Sequence, residues 1–200
     1  MRLIAERLGL VRGGRRLFQD LGFAVAGGEA LAVTGPNGAG KSSLLRLIAG
    51  LLHPTEGRVG LEGAGAERAP GTAAHFVGHL DGVKAALTGA ENLDFMRALL
   101  GGRPDGRSAL ATLGIERLAD LPAGMFSAGQ KRRLALARLL IAPRPLWLLD
   151  EPLTSLDADG QAVFASLARA HLQRGGLIVA ATHAPLGIEG ARELKLGGGA

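Results

Sequence analysis

The chain has 200 residues, of which 47% are hydrophobic and 20% charged, a composition typical of one globular domain. Cysteine is absent, which excludes a disulfide framework, a thiolate metal site and a cysteine nucleophile. The net charge is +5, but only 4% of residues are aromatic and no nucleic-acid-reading module is visible, so we expect no nucleic-acid partner. Charged residues at the start argue against a signal peptide. No apolar run approaches the length of about 18 residues that a transmembrane helix needs. We therefore expect a cytoplasmic protein that reaches any membrane through a partner.

The N-terminal part of the chain is predicted to be a β subdomain. Residues 3–11 and 21–25 alternate between apolar and polar positions, and the segment 12–16 between them has the composition of a hairpin turn. An apolar strand is predicted at residues 30–34, and a helix begins near Lys41. Further along, the sequence predicts a short strand at 58–61, a loop over 62–73 and a core strand at 75–78.

The segment between the apolar strand and the first helix reads G-P-N-G-A-G-K-S, which matches a phosphate-binding loop. Its glycines allow the backbone N–H groups to face a polyphosphate, and the helix that follows adds the positive end of its dipole. Lys41 would reach the β- and γ-phosphates, and the Ser42 hydroxyl would hold Mg²⁺. The candidate nucleotide-binding residues of this loop are Gly35, Pro36, Asn37, Gly38, Ala39, Gly40, Lys41, Ser42 and Ser43.

The middle of the chain is predicted to be mainly helical, in a subdomain at about residues 80–140 of a single domain 1–200. The pattern is helical from Thr88 to about Leu121, starts with a capping box at Thr88 and is broken at 101–104. Ser127 and Gln130 form a second capping box, which predicts Ser127 as the N-cap of a helix over 131–141.

Two acids follow a buried strand in the C-terminal part of the chain. The run 146–151 is apolar and ends in two acids, Asp150 and Glu151, which fits a buried parallel strand. A helix is predicted at about 159–174, and the buried strand 177–181 is followed by His183. Ligands bind at the carboxyl ends of strands in open α/β sheets, so Asp150 is a candidate Mg²⁺ ligand and Glu151 a candidate general base for water. The alternation of strands and helices predicts a largely parallel sheet.

These motifs, in this order, resemble the ATP-binding subunits of ABC transporters over nearly the whole chain. The resemblance implies an α/β fold of the P-loop NTPase, ABC ATPase type, with a mainly parallel core sheet, an N-terminal antiparallel β subdomain and a small inserted helical subdomain. It also implies ATP hydrolysis by a homodimer, in which the signature residues of one subunit contact ATP held by the other. By this resemblance the signature residues are Ser127, Gly129 and Gln130, and the catalytic residues are Glu151, His183 and Lys41.

Two positions depart from the family pattern. The aromatic residue that usually stacks on adenine is replaced at about Arg12, whose guanidinium can also stack on a base. The glutamine that usually senses Mg²⁺ after the strand at 75–78 is replaced by His79, which makes His79 a candidate metal contact.

The segments G-H-L-D-G-V-K (78–84) and L-T-G-A-E-N-L (87–93) narrow the resemblance to the ATPases of cytochrome c maturation, the CcmA family. That resemblance implies a peripheral subunit at the cytoplasmic face of the bacterial inner membrane, docked on integral membrane subunits of the CcmB/CcmC type and driving haem export or handling. The alternative is the ATPase subunit of another small ABC transporter. A GTPase is disfavoured because no N-K-x-D string accompanies the D-x-x-G sequence at 157–160.

Overall fold

The computed structural model describes residues 1–63, 66–79, 82–102 and 105–197. Parts of three predicted segments, residues 64–65, 80–81 and 103–104, lie outside the described residues. The elements in chain order are β1 (Arg2–Arg12), β2 (Arg15–Ala26), β3 (Ala30–Thr34), α1 (Lys41–Ile48), β4 (Glu56–Gly63), β5 (Ala66–Arg68), β6 (Ala74–Val77), α2 (Gly89–Leu100), α3 (Gly106–Thr112), α4 (Ala128–Ala137), β7 (Leu146–Asp150), α5 (Ala158–Gln173), β8 (Leu177–Ala181) and β9 (Arg192–Lys195).

The chain forms two compact units. One comprises residues 1–76, 145–151 and the chain from 168 onward, and the other comprises residues 77–144 and 152–167. The sequence-based assignment of one ABC ATPase domain with a helical subdomain at about 80–140 stays a prediction. In the described part of the chain, every helix is too short or too polar to cross a bilayer.

The first unit contains two sheets. The antiparallel sheet has the strand order β2-β1-β4-β5, and the core sheet has the order β6-β7-β8-β3-β9. In the core sheet β3 runs parallel to β8 and β9, and β7 runs parallel to β8. All five residues of β7 and of β8 are buried, as expected for parallel strands covered on both faces. The predicted antiparallel subdomain and parallel core are therefore confirmed.

The predicted hairpin is confirmed, because Arg12 and Arg15 are paired across a turn in which Gly13 and Gly14 have positive φ angles. The predicted loop over 62–73 is wrong in its described part. β4 continues to Gly63, β5 pairs with it, and Pro70–Ala73 is a 3-10 turn. Glycine and alanine give a strand no apolar alternation, so the backbone pairing of this segment left no signal in the sequence.

The second unit contains the helices α2 to α4, and both predicted capping boxes are confirmed. At α2 the Glu91 N–H donates to Thr88 Oγ1 at 3.2 Å, and the Thr88 N–H donates to Glu91 Oε2 at 2.8 Å. At α4 the Gln130 N–H donates to Ser127 Oγ at 3.3 Å, and the Ser127 N–H donates to Gln130 Oε1 at 2.8 Å. Each box satisfies two backbone donors that the first turn of a helix leaves open. The helix predicted over 131–141 ends earlier, because the chain tightens into a 3-10 turn at Arg138–Leu140.

A stacked aromatic pair lies at the start of β7, in the first unit. The rings of Trp147 and His171 are parallel within 10°, with their centroids 3.9 Å apart, and His171 Nε2 lies 3.1 Å from the Pro145 carbonyl oxygen. Burial lowers the pKa of His171 below its usual value of 6.5, because desolvation penalises the imidazolium. The folded protein therefore favours neutral His171.

We expect acid to destabilise the protein through His171. The folded state disfavours protonation, so the contribution of His171 is present above pH 6.5 and is lost as the pH falls from 6.5 through the lowered folded pKa. Urea unfolding at a series of pH values, followed by the fluorescence of the single Trp147, measures this loss. His171→Gln should reduce the pH dependence, whereas His53→Gln, at an exposed position, should keep it; equal pH profiles for wild type and His171→Gln would contradict the assignment.

Candidate nucleotide-binding site

The predicted phosphate-binding loop lies between β3 and α1 and depends on glycine at three positions. Gly35, Gly38 and Gly40 have φ angles of 135°, 79° and 100°, which L side chains rarely adopt. At Gly35 there is also no room for a side chain, since a Cβ atom would lie 2.3 Å from the Leu196 carbonyl oxygen. The local sequence and its packing thus force a tight turn directly before the N-terminus of α1, where backbone N–H groups favour an anion.

Lys41, the first residue of α1, lies over this loop. The residue is 7% exposed, and its ammonium donates to the carbonyl oxygens of Gly35 at 2.7 Å and Pro36 at 3.2 Å. The positive charge is therefore held against the same turn that presents the α1 N–H groups. This arrangement can bind the phosphates of a nucleotide.

A pair of oxygen ligands follows from the proximity of α1 and β7. Ser42 Oγ donates to Asp150 Oδ1 at 3.0 Å, and Asp150 is only 2% exposed. A hydroxyl and a carboxylate are the hard oxygen ligands that Mg²⁺ prefers. Among the described residues no group of three His, Asp or Glu side chains could hold a metal ion. A Mg²⁺ ion here would take its other ligands from water and phosphate oxygens, which is usual at nucleotide sites.

Glu151 and His183 meet at the carboxyl ends of β7 and β8. His183 Nε2 lies 3.4 Å from Glu151 Oε1, and the two side chains are 50% and 21% exposed, respectively, so water reaches both. Glu151 has a positive φ of 51°, and its N–H donates to the Ala181 carbonyl oxygen at 2.9 Å. A non-glycine residue in this conformation stores strain and is often found at functional sites. The turn that carries His183 is closed by Thr182, whose hydroxyl donates to the Ala184 carbonyl oxygen at 2.7 Å.

Arg15, at the tip of the β1–β2 hairpin, lies near the phosphate-binding loop. The sequence did not indicate it as a site residue. A Cβ atom on Gly38 would lie 3.9 Å from Arg15 Nη1. Arg12 is the strand partner of Arg15 across the turn, so two like charges lie opposite each other, an arrangement that a bound anion would stabilise. The two-residue turn could have indicated Arg15 in the sequence, because such a turn places Arg15 opposite Arg12. The role of Arg12 at adenine stays a prediction.

The signature residues lie in the second unit, at the start of α4. Ser127 and Gln130 are engaged in the capping box, and Gly129 lies against the chain near Ser155, because a Cβ atom there would be 2.7 Å from the Ser155 carbonyl oxygen. His79 is exposed and directly precedes residues that lie outside the described part of the chain. The roles of all four residues stay predictions.

Comparison with known proteins decides the family. Residues 18–154 match the family model described as ABC transporter. The chain is 55% identical to the cytochrome c biogenesis ATP-binding export protein CcmA of Nitrobacter winogradskyi, over 100% of both chains, and 54% identical to the CcmA of Bradyrhizobium diazoefficiens, over 99% of both. The chain belongs to the ABC transporter family, within its CcmA group.

Solved structures of the family agree on the fold. An ABC transporter ATP-binding protein from Pyrococcus furiosus superposes with a TM-score of 0.83 at 20% identity, covering 98% of both chains. A dimeric ATP-binding cassette in a post-hydrolysis state, bound to ADP and Pi, also has a TM-score of 0.83, at 23% identity, covering 97% of this chain and 94% of that one. The predicted ABC ATPase fold is confirmed. The family match and the full-length identity to curated relatives show that the chain is an ABC-type ATPase.

Proposed function

We propose that this chain is the ATP-hydrolysing subunit of the haem-handling transporter of cytochrome c maturation, at the cytoplasmic face of the bacterial inner membrane. The observation that carries the proposal is identity of about 55% to CcmA proteins over the full length. The chain also has Lys41, Asp150 and Glu151 in the order that the ABC motifs require. Integral membrane subunits of the CcmB/CcmC type are the proposed partners, docked through the 79–100 region.

ATP is proposed to bind with its phosphates against the loop at residues 35–43. The backbone N–H groups and Lys41 would contact the β- and γ-phosphates, and an arginine of the hairpin, Arg12 by resemblance, would lie at adenine. Ser42 and Asp150, with His79 as a further contact, would hold Mg²⁺. When bound, the ion neutralises charge on the phosphate oxygens.

Glu151 is proposed as the general base. Its carboxylate accepts a proton from a water molecule as the water oxygen attacks the γ-phosphorus, and the bond to the ADP oxygen breaks, which yields ADP and phosphate. His183 is proposed to donate to the γ-phosphate or to orient this water, and its distance of 3.4 Å from Glu151 supports this role. The water-accessible, strained position of Glu151 supports this role, because a base must reach its water without being fully buried.

A second copy of the chain is proposed to complete the site in the ATP-bound state. Ser127 is the N-cap of α4, and Gly129 and Gln130 lie in its first turn, where the N-terminal donors and the helix dipole favour an anion. The γ-phosphate of ATP held by the other copy would supply this anion. The dimeric arrangement of a structural relative bound to ADP and Pi supports the homodimer.

The test is Lys41→Ala in the native organism, with haem staining of the membrane and periplasmic fractions. The variant removes the ammonium from the phosphate-binding loop, so we expect loss of covalently bound haem while the apocytochromes are still made. Lys195→Ala removes one exposed lysine from β9 and should leave c-type cytochromes normal. Normal cytochromes with Lys41→Ala, at wild-type levels of the variant protein, would contradict the proposal and favour another small ABC transporter.

A further inference from the structure

One guanidinium of the second unit is buried and has no role in the mechanism described so far. Arg132 lies in α4, two residues after the capping box, and is only 3% exposed. A buried charge is costly unless hydrogen bonds compensate for its lost water. The hydrogen bonds of Arg132 must therefore compensate for the free energy that desolvation of its guanidinium costs.

The contacts of Arg132 include two backbone carbonyl groups from distant parts of the chain. Its Nε donates to the Pro152 carbonyl oxygen at 3.2 Å, and its Nη1 donates to the Gly78 carbonyl oxygen at 3.0 Å. Pro152 is bonded directly to Glu151, and Gly78 is bonded directly to His79. The planar fork of a guanidinium fixes the direction of both acceptors at once, which a flexible ammonium does not.

We propose that Arg132 is a positioning residue for ATP hydrolysis, which holds the chain directly after Glu151 and directly before His79. The proposal rests on the proposed function and adds a residue of this chain to it. A general base must keep its oxygen within hydrogen-bond reach of one water molecule. If the Pro152 carbonyl group loses its hydrogen bond, the adjacent Glu151 carboxylate is less well positioned. A misplacement of about 1 Å can lower a rate by about a hundredfold.

Other contacts keep the segment after Glu151 attached to α4 when Arg132 is changed. Gly129 lies against the Ser155 carbonyl oxygen, and Arg133 forms an ion pair with Asp157. The Gly160 N–H and the Arg133 guanidinium lower the pKa of the Asp157 carboxyl, so this pair stays charged near neutral pH. A variant at Arg132 should therefore remain folded while losing the orientation of the two carbonyl groups.

The experiment compares Arg132→Met, Arg132→Lys and Leu134→Ala in the full-length chain. Arg132→Met keeps the length of the side chain without its donors, Arg132→Lys keeps the charge without the fork, and Leu134→Ala truncates a buried side chain of the same helix. The readouts are kcat and KM for ATP, the Mg²⁺ concentration that gives half-maximal turnover, and the Kd of a fluorescent ATP analogue. All are measured at a temperature where each variant is folded by circular dichroism.

We expect Arg132→Met to lower kcat by about tenfold or more, with the Kd of the analogue unchanged, because the phosphate-binding loop is intact. Arg132→Met should also raise the Mg²⁺ concentration that gives half-maximal turnover. Arg132→Lys should recover part of the wild-type kcat, and Leu134→Ala should keep most of the wild-type kcat. Equal losses of kcat in Arg132→Met and Leu134→Ala, or no loss in Arg132→Met, would overturn the positioning role. A wild-type chain that binds the analogue without hydrolysing ATP would instead overturn the proposed function.

Discussion

Glu151→Gln is expected to lower ATP turnover by about 10²- to 10⁴-fold while ATP binding is retained. The amide has nearly the size of the carboxylate and can still contact His183, 3.4 Å away, but it cannot accept the proton of the attacking water. The phosphate-binding loop is untouched, so the variant should accumulate in its ATP-bound dimeric form. Turnover under saturating ATP, and gel filtration with and without ATP, measure the two effects.

Glu189→Gln is the matched control for the loss of one acidic side chain. Glu189 is exposed and lies beyond the turn that carries His183, so its replacement should leave both turnover and dimerisation unchanged. A Glu151→Gln variant that hydrolyses ATP at the wild-type rate would refute the general base. A variant that is inactive yet monomeric in ATP would leave the base in place and contradict the proposed dimer.

Gly35→Ala is expected to damage both stability and nucleotide binding. Position 35 combines a φ of 135° with a Cβ that would lie 2.3 Å from the Leu196 carbonyl oxygen, so the loop or β9 must shift to accept a methyl group. Shifting the loop moves the N–H groups that would contact phosphate. Urea unfolding measures the free energy of unfolding, and titration with a fluorescent ATP analogue measures the Kd.

Gly50→Ala separates the effect of the positive φ angle from the effect of the close approach to Leu196. Gly50 has a positive φ of 74° but nothing within 4 Å of its Cβ position, so its replacement carries only the backbone cost of about 1–2 kcal/mol. Gly35→Ala should exceed that cost by roughly 1–3 kcal/mol, the usual penalty of overpacking, and should weaken binding of the ATP analogue, which Gly50→Ala should not. Equal effects of the two variants on stability and Kd would mean that the close approach to Leu196 has no consequence.

Elements with strong local patterns could be read from the sequence. The apolar runs at β7 and β8 have no interruption, and the capping boxes at Thr88 and Ser127 are complete within four residues. Weakly patterned elements were missed. β9 reads Arg-Glu-Leu-Lys and is a strand because its backbone pairs with β3, which depends on a distant part of the chain.

The candidate site shows the same division. The order of the motifs indicated Lys41, Asp150 and Glu151, because each of these residue types has a known use with nucleotides. His183 was indicated only by the family resemblance. The position of the Arg15 guanidinium near Gly38 depends on how far its side chain extends from the hairpin, and the sequence indicated only the turn.

The sequence by itself determined the class of fold, the family resemblance and the residues able to bind phosphate, since these follow from local periodicity, turn chemistry and ordered motifs. Only the tertiary structure decided which groups meet: Ser42 with Asp150, Glu151 with His183, and Arg132 with the carbonyl groups of Gly78 and Pro152. The partners in all of these contacts are between 20 and 108 residues apart along the chain. Such contacts are set by strand order and by burial, which no local stretch of sequence encodes.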